Sequence, residues 1–264
     1  MKRWAQHWPE YGIEAACLAL FMVSATGFST LLQHPASPVA EALRAWHAGA
    51  LARRVPMGLA MGLTAIALIY SPLGARSGAH MNPSLTFTYY RLGKIAAGDA
   101  AGYIAAQFVG AMTGIVTATW LFRGLPADPS VNFAATVPGL SGNATAFVAE
   151  AIISCLMMAT VLGVSNSSRL ARYTGLCAGT LVALYIVVEA PLSGMSMNPA
   201  RSLGSNLLAH ATASLWIYFT APPLGMLAAA EGYERVRGRH RVRCAKLNHP
   251  DSGRCIFCGT EVQA

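Results

Sequence analysis

Charge is what this sequence has least of: 19 basic and 11 acidic side chains in 264 residues, 11% of the chain, against about a quarter in soluble domains. So few cannot coat a globule whose residues are 54% hydrophobic, which excludes an ordinary soluble enzyme. Catalytic groupings are missing too. No Ser/His/Asp set, phosphate-binding glycine loop or pair of acids stands in a plausible pocket, so nothing argues for enzymatic activity. Cys-x2-Cys pairs are reduced to one, Cys255 and Cys258, near the end of the chain. A signal peptide is a poor reading of the first apolar run, which is long, follows Pro9 and Glu10, and lacks a clear small-residue cleavage site.

Apolar length is what the sequence does have, with a mean hydropathy of +0.44. A bilayer core of about 30 Å takes about 20 apolar residues per helix, and six runs come near that length: 11–32, 55–71, 98–122, 144–164, 173–189 and 213–233. Abundant glycine (25) and methionine (11) suit helices that pack through small residues. Two further apolar segments, 82–92 and 198–209, span about half a bilayer at 1.5 Å per residue. Each opens on Asn-Pro, an N-cap followed by the first-turn position that tolerates proline, so each reads as a half-helix starting there.

An even number of spans puts both termini on one side. Basic residues favour the side holding the N-terminus, Arg76, Arg91, Lys94, Arg169, Arg172 and the tail, so both termini are expected in the cytoplasm of a plasma or bacterial inner membrane. Seven of the basic residues fall between Arg235 and Arg254. They read as one cytoplasmic tail and not as a nucleic-acid-binding domain.

A repeat organises the chain. Ser77-Gly-Ala-His-Met-Asn-Pro-Ser84 aligns without gaps on Ser193-Gly-Met-Ser-Met-Asn-Pro-Ala200, and Tyr103 to Gln107 with Gly110 lies on Tyr218 to Pro222 with Gly225 after a one-residue shift. Three full spans per half make the second copy enter from the opposite face, an inverted repeat whose broken segments meet near the midplane. Non-helical backbone at that depth must line a cavity or be buried in protein. Half-helices abutting at Pro83 and Pro199 bring two positive dipole ends together, repelling cations. The Asn82 and Asn198 amides are expected to donate into the lumen, opposite loop carbonyls that accept.

At these residues the chain resembles the aquaporin, or major intrinsic protein, family, over about residues 10–235. Asn198-Pro-Ala-Arg-Ser202 matches the second family signature in full, and Asn82-Pro83-Ser84 stands where Ala is the commoner third residue. The resemblance implies an all-α aquaporin-like membrane fold of six helices and two re-entrant half-helices, a homotetramer in membrane lipid, and passive conduction without a cofactor. Half-helix dipoles and an arginine are the known selectivity device of such channels. The pore centre would be Asn82, Pro83, Ser84, Asn198, Pro199 and Ala200. An outer filter would comprise Met61 (or Gly62), Ile186, Met195 and Arg201. This set lacks the aromatic and His of water-selective relatives, which points to water together with small neutral solutes such as glycerol, urea or uncharged metalloid hydroxides. His80 would line the lumen.

Glu14 and Glu150 are intramembrane carboxylates. Their matched places in the two halves favour holding the re-entrant loops, and the rival reading is a proton relay in an ion-coupled transporter. Glu189 reads as a solvated helix end, with tuning of the Arg201 field as the alternative. Cys17, Cys155 and Cys177 read as packing residues. The tail differs: Cys244, His249, Cys255 and Cys258, with His240 as a spare, have the side-chain types of a tetrahedral zinc site. A metal-regulated channel or sensor is the second rival. The expected layout is an N-terminus at 1–10, a channel at 11–235 with halves at about 11–122 and 144–235, and a basic tail at 236–264.

Overall fold

The computed structural model describes residues 2–46, 49–249 and 255–259; Arg254 of the basic stretch lies outside them. The described residues form helices α1 (Lys2–Gln33), α2 (Pro38–Ala45), α3 (Ala50–Tyr70), α4 (Pro72–Ser77), α5 (Pro83–Arg91), α6 (Ala97–Leu121), α7 (Gly142–Ser165), α8 (Thr174–Val188), α9 (Ala190–Ser193), α10 (Pro199–Leu208) and α11 (Leu215–Arg237). The fold is all-helical: six long helices carry the two half-helices α5 and α10 between them.

Five of the long helices, α1, α3, α6, α7 and α8, are long and apolar enough to cross a membrane. In α11, Trp216, Tyr218, the Pro222-Pro223 pair and Glu231 dilute the apolar run. Packing identifies it as the sixth, because it lies against α7 as α6 lies against α1. The approach is equally close in both pairs. A Cβ on Gly110 would stand 2.3 Å from the Ala15 carbonyl oxygen, and one on Gly225 would stand 2.2 Å from that of Ala151. The third pair, α3 on α8, joins the halves and is close where Gly62 meets Gly179 and where Gly58 meets Ala183. Small residues thus set all three helix contacts, as expected where lipid offers no hydrophobic force between helices. Large apolar side chains such as Leu63, Val109, Val116, Ile152 and Leu156 face outward.

Several bounds differ from the sequence reading, with α3 starting at Ala50 and not 55 and α11 running on to Arg237, and two differences have a visible cause. Helix α1 begins at Lys2, well before residue 11, because its polar first turns find partners: His7 Nδ1 and the Tyr11 hydroxyl lie 2.8 and 2.7 Å from Asp99 Oδ1. Helix α2 sits in a connection that the search for long apolar runs passed over. Its start is local, with the Ser37 side chain accepting from Ala40 N–H ahead of Pro38.

Candidate functional site

The two half-helices start at their Asn-Pro pairs. Asn82 Oδ1 accepts from Ser84 N–H at 2.8 Å, and Asn198 Oδ1 accepts from Ala200 and Arg201 N–H at 3.1 and 3.2 Å. Capping fixes each carbonyl oxygen at its own helix end and turns each amide nitrogen across the midplane. Asn82 Nδ2 donates to Met197 O and Asn198 Nδ2 donates to Met81 O, both at 2.7 Å. These bonds add a second role to the amides beside the expected donation into the lumen. One hydrogen of each NH2 ties the halves together, and the second remains for the cavity that both asparagines line.

The loops leading into the half-helices repeat the same unusual backbone. Gly78, Ala79 and Met81 take φ of +103°, +54° and +47°, and Gly194, Met195 and Met197 take +81°, +51° and +55°. Left-handed non-glycine residues are strained, and a buried carboxylate holds each set. Glu14 Oε1 accepts from Ser77 Oγ and His80 N–H, and its Oε2 accepts from Met81 N–H and Gln107 Nε2, at 2.7–3.0 Å. Glu150 Oε1 accepts from Ser193 Oγ and Ser196 N–H, and its Oε2 from Met197 N–H, at 2.7–2.8 Å. Tyr103 and Tyr218 hydroxyls close the frame on the Ser77 and Ser193 carbonyls at 2.6 and 2.5 Å. With every carboxylate oxygen occupied by a donor, neither glutamate is arranged to shuttle protons. Sequence reasoning missed Gln107 and the serine and tyrosine partners, although Ser77/Ser193 and Tyr103/Tyr218 stand at matched repeat positions.

One cavity of about 510 Å³ runs past both asparagines and is lined by Met61, His80, Ile186, Met195 and Arg201. All four filter candidates thus meet one cavity, with Met61 lining it while Gly62 faces Gly179. Arg201 Nη1 is buried and has no hydrogen-bond partner among the described residues. The side chain as a whole is partly exposed, and it lines the cavity beside three apolar ones, Met61, Ile186 and Met195. Pro83, Ser84, Pro199 and Ala200 are the buried first turns behind the asparagines. Glu189 departs from the solvated reading: it is 6% exposed, with the Ser193 side chain beside its carboxylate. Glu189 stands at the junction of α8 and α9, the cap position of both. Cys17 is buried, while Cys155 and Cys177 are partly exposed.

At the other end the tail returns to the cavity. Leu247 is among its lining residues. The ligating atoms of Cys244, His249, Cys255 and Cys258 lie within 4.8 Å of one another. His240 is not in the cluster; it sits in the turn Arg239–Arg241 against Gly238, because the chain must still travel to Cys244 before it folds back.

The sequence profile of the family described as major intrinsic protein matches residues 10–233. Aquaporin NIP1-2 of Arabidopsis thaliana is 35% identical over 186 residues, 69% of this chain and 62% of that protein. Glycerol uptake facilitator protein-like 6 of Lactiplantibacillus plantarum is 35% identical over 177 residues, 66% of this chain and 81% of that protein. The chain spans 62–63% of the length of the first plant relatives it matches. The solved aquaglyceroporin of Plasmodium falciparum superposes with a TM-score of 0.66 at 20% identity, covering 86% of this chain and 96% of that one, a likeness of fold.

Proposed function

This chain belongs to the major intrinsic protein family, and from that premise we propose that it is a passive channel for water and small neutral solutes that excludes ions and protons. The observation that carries the reading is the reciprocal Asn82–Met197 and Asn198–Met81 bonding of two half-helix starts beside a continuous cavity. Two positive dipole ends meet there, so a cation loses water without gaining a compensating partner, while a neutral molecule exchanges hydrogen bonds. Asn82 and Asn198, backed by Pro83, Ser84, Pro199 and Ala200, form the pore centre. Met61, Ile186, Met195 and Arg201 form the filter, and His80 lines the inner lumen. Three apolar filter positions favour passage of glycerol-, urea- or metalloid hydroxide-sized solutes beside water. Conduction uses no cofactor, and the chain carries out no catalysis.

The same premise supports a multi-pass membrane protein with both termini cytoplasmic in a plasma or bacterial inner membrane, assembled as a homotetramer. Glu14 and Glu150, each engaged by several buried donors, count against ion-coupled transport. Cys244, His249, Cys255 and Cys258 form a candidate zinc site outside the conduction path.

Stopped-flow light scattering on vesicles carrying the chain in metal-depleted buffer tests the reading. Shrinkage faster than in empty vesicles, unchanged by pH gradients, is expected, with glycerol and urea flux above background. Asn198→Asp and Arg201→Val should let ions leak, because each weakens a positive barrier. Vesicles that shrink no faster than empty ones would overturn the proposal.

A further inference from the structure

The family match ends at residue 233, and the chain beyond α11 packs into the channel. Arg239 Nε and Nη2 donate to the Leu92 and Arg91 carbonyls at 2.7 and 2.5 Å, pinning the chain to the end of α5. Arg243 N–H then donates to Asn166 Oδ1 at 2.7 Å. The next residues reach the re-entrant loop itself. Lys246 Nζ donates to Ala75 O at 2.8 Å, and Leu247 N–H donates to Gly78 O at 3.2 Å. His80, the candidate lumen residue, has its Nε2 2.7 Å from Ala245 O, which makes that nitrogen the protonated one; Nδ1 then accepts from the Thr86 hydroxyl at 3.0 Å. The imidazole lies between Tyr89 and Phe257, with ring centroids 5.3 and 5.7 Å away and planes inclined by 17° and 4°. Val242, Ala245 and Leu247 are buried as part of the channel's own apolar core. The fit is close at Gly78, where a Cβ would stand 3.1 Å from the Phe257 ring.

Every one of the residues that dock on the loop, Ala245, Lys246, Leu247 and Phe257, lies between the first and last members of the Cys/His cluster. Cys244 immediately precedes the docked segment, and Cys255 and Cys258 bracket Phe257. Cys244 Sγ is 3.5 Å from Cys255 Sγ, and His249 Nε2 is 3.2 Å from Cys258 Sγ. A tetrahedral site with Zn–S bonds of about 2.3 Å has S–S edges of about 3.8 Å, so these separations suit a shared ion. Three thiolates and one imidazole are a soft donor set that selects zinc over magnesium or calcium. Each thiol releases its proton to solvent on ligation.

We propose that Cys244, His249, Cys255 and Cys258 bind a soft divalent cation of the zinc class, and that the metal-closed loop is an autoinhibitory cap that seats Leu247 and Phe257 in the inner mouth of the pore. Loss of the metal opens the loop, frees the His80 nitrogen and clears the lumen. A peptide this short and basic has little core of its own, so an ion shared between the segments 244–249 and 255–258 is what holds the two together. The inference rests on the channel reading above.

The test uses the full-length chain in vesicles with a thiol reductant present throughout. Elemental analysis should find one zinc per chain. Water permeability should rise at least fivefold on adding a membrane-permeant zinc chelator and fall back on restoring zinc. The variant Cys255→Ser/Cys258→Ser should lose the metal and stay at the high permeability whether or not zinc is added. Phe257→Ala should keep the metal yet lose most of the closure. Substoichiometric zinc below about a tenth per chain, equal permeability with and without the ion, or closure that appears only on removing the reductant would each overturn the cap. If the metal-free Cys255→Ser/Cys258→Ser vesicles match empty ones, the channel reading fails instead.

Discussion

The two re-entrant loops are the most informative pair of regions in the molecule, since they share a frame and differ at its edges. Both have a glutamate under the loop, a serine hydroxyl and two loop N–H groups on that glutamate, a tyrosine on the serine carbonyl, and an asparagine that caps its half-helix and bonds the opposite loop. The differences begin where the repeat breaks. Gln107 adds a donor to Glu14, while its counterpart in the second half is Pro222, which has none to give. His80 reaches outward to the tail, whereas Ser196 in the same place turns back, its hydroxyl 2.9 Å from Asn198 O and 2.6 Å from Ser202 Oγ. What the halves share surrounds the middle of the cavity, and where they depart its two ends differ: Arg201 lines one, and Leu247 of the tail lines the other.

The largest effects should come from the carboxylates. Glu14→Ala leaves three buried donors without an acceptor and takes from Gln107 Nε2 one of its two, while Glu150→Ala leaves three. At about 1–3 kcal/mol per orphaned group, both should lose several kcal/mol, the first more than the second. Thermal unfolding in detergent would show it, and a smaller loss for Glu14→Ala would break the comparison. Next come Gly110→Leu and Gly225→Leu, which force a side chain onto backbone at 2.3 and 2.2 Å. Both should push helices apart and abolish flux, and a tolerated Gly225→Leu would mean that α11 is not held as α6 is. Tyr103→Phe and Tyr218→Phe each remove one buried hydrogen bond to a serine carbonyl, so equal losses of about 1 kcal/mol are expected. Chemical denaturation resolves a difference of that size. The smallest effect belongs to Ser84→Ala, which makes the first signature match the second. Ser84 Oγ is buried without a hydrogen-bond partner among the described residues, so stability and water permeability should stay within error of the parent.

Much of this was legible before any fold was in view, and the reasons are local. Proline after asparagine starts a helix wherever it occurs, so the half-helices announced themselves at Asn82 and Asn198. The identical Ser-Gly-x-x-Met run ahead of each pointed to matched loops, and the placing of Glu14 and Glu150 pointed to what lies beneath them. Other features carried no local signature. Helix α11 is too mixed in composition to stand out, and its place comes from Gly225 against α7. Glu189 looks like a helix end in the sequence, and only the packing around the junction of α8 and α9 buries it. The choice between Met61 and Gly62 is a matter of helix rotation, which the contact of Gly62 with Gly179 fixes.

The sequence by itself determined the membrane setting, the inverted repeat, the two helix starts and the chemistry available to the tail, because hydropathy, proline geometry and ligand type act over a few residues. Only the tertiary structure decided that the asparagines bind each other's loops, that one cavity gathers the filter residues, and that the tail lies on His80. Those are contacts between segments more than a hundred residues apart, and nothing in a local pattern fixes which donor meets which acceptor until helices pack closely enough to bring them within 3 Å.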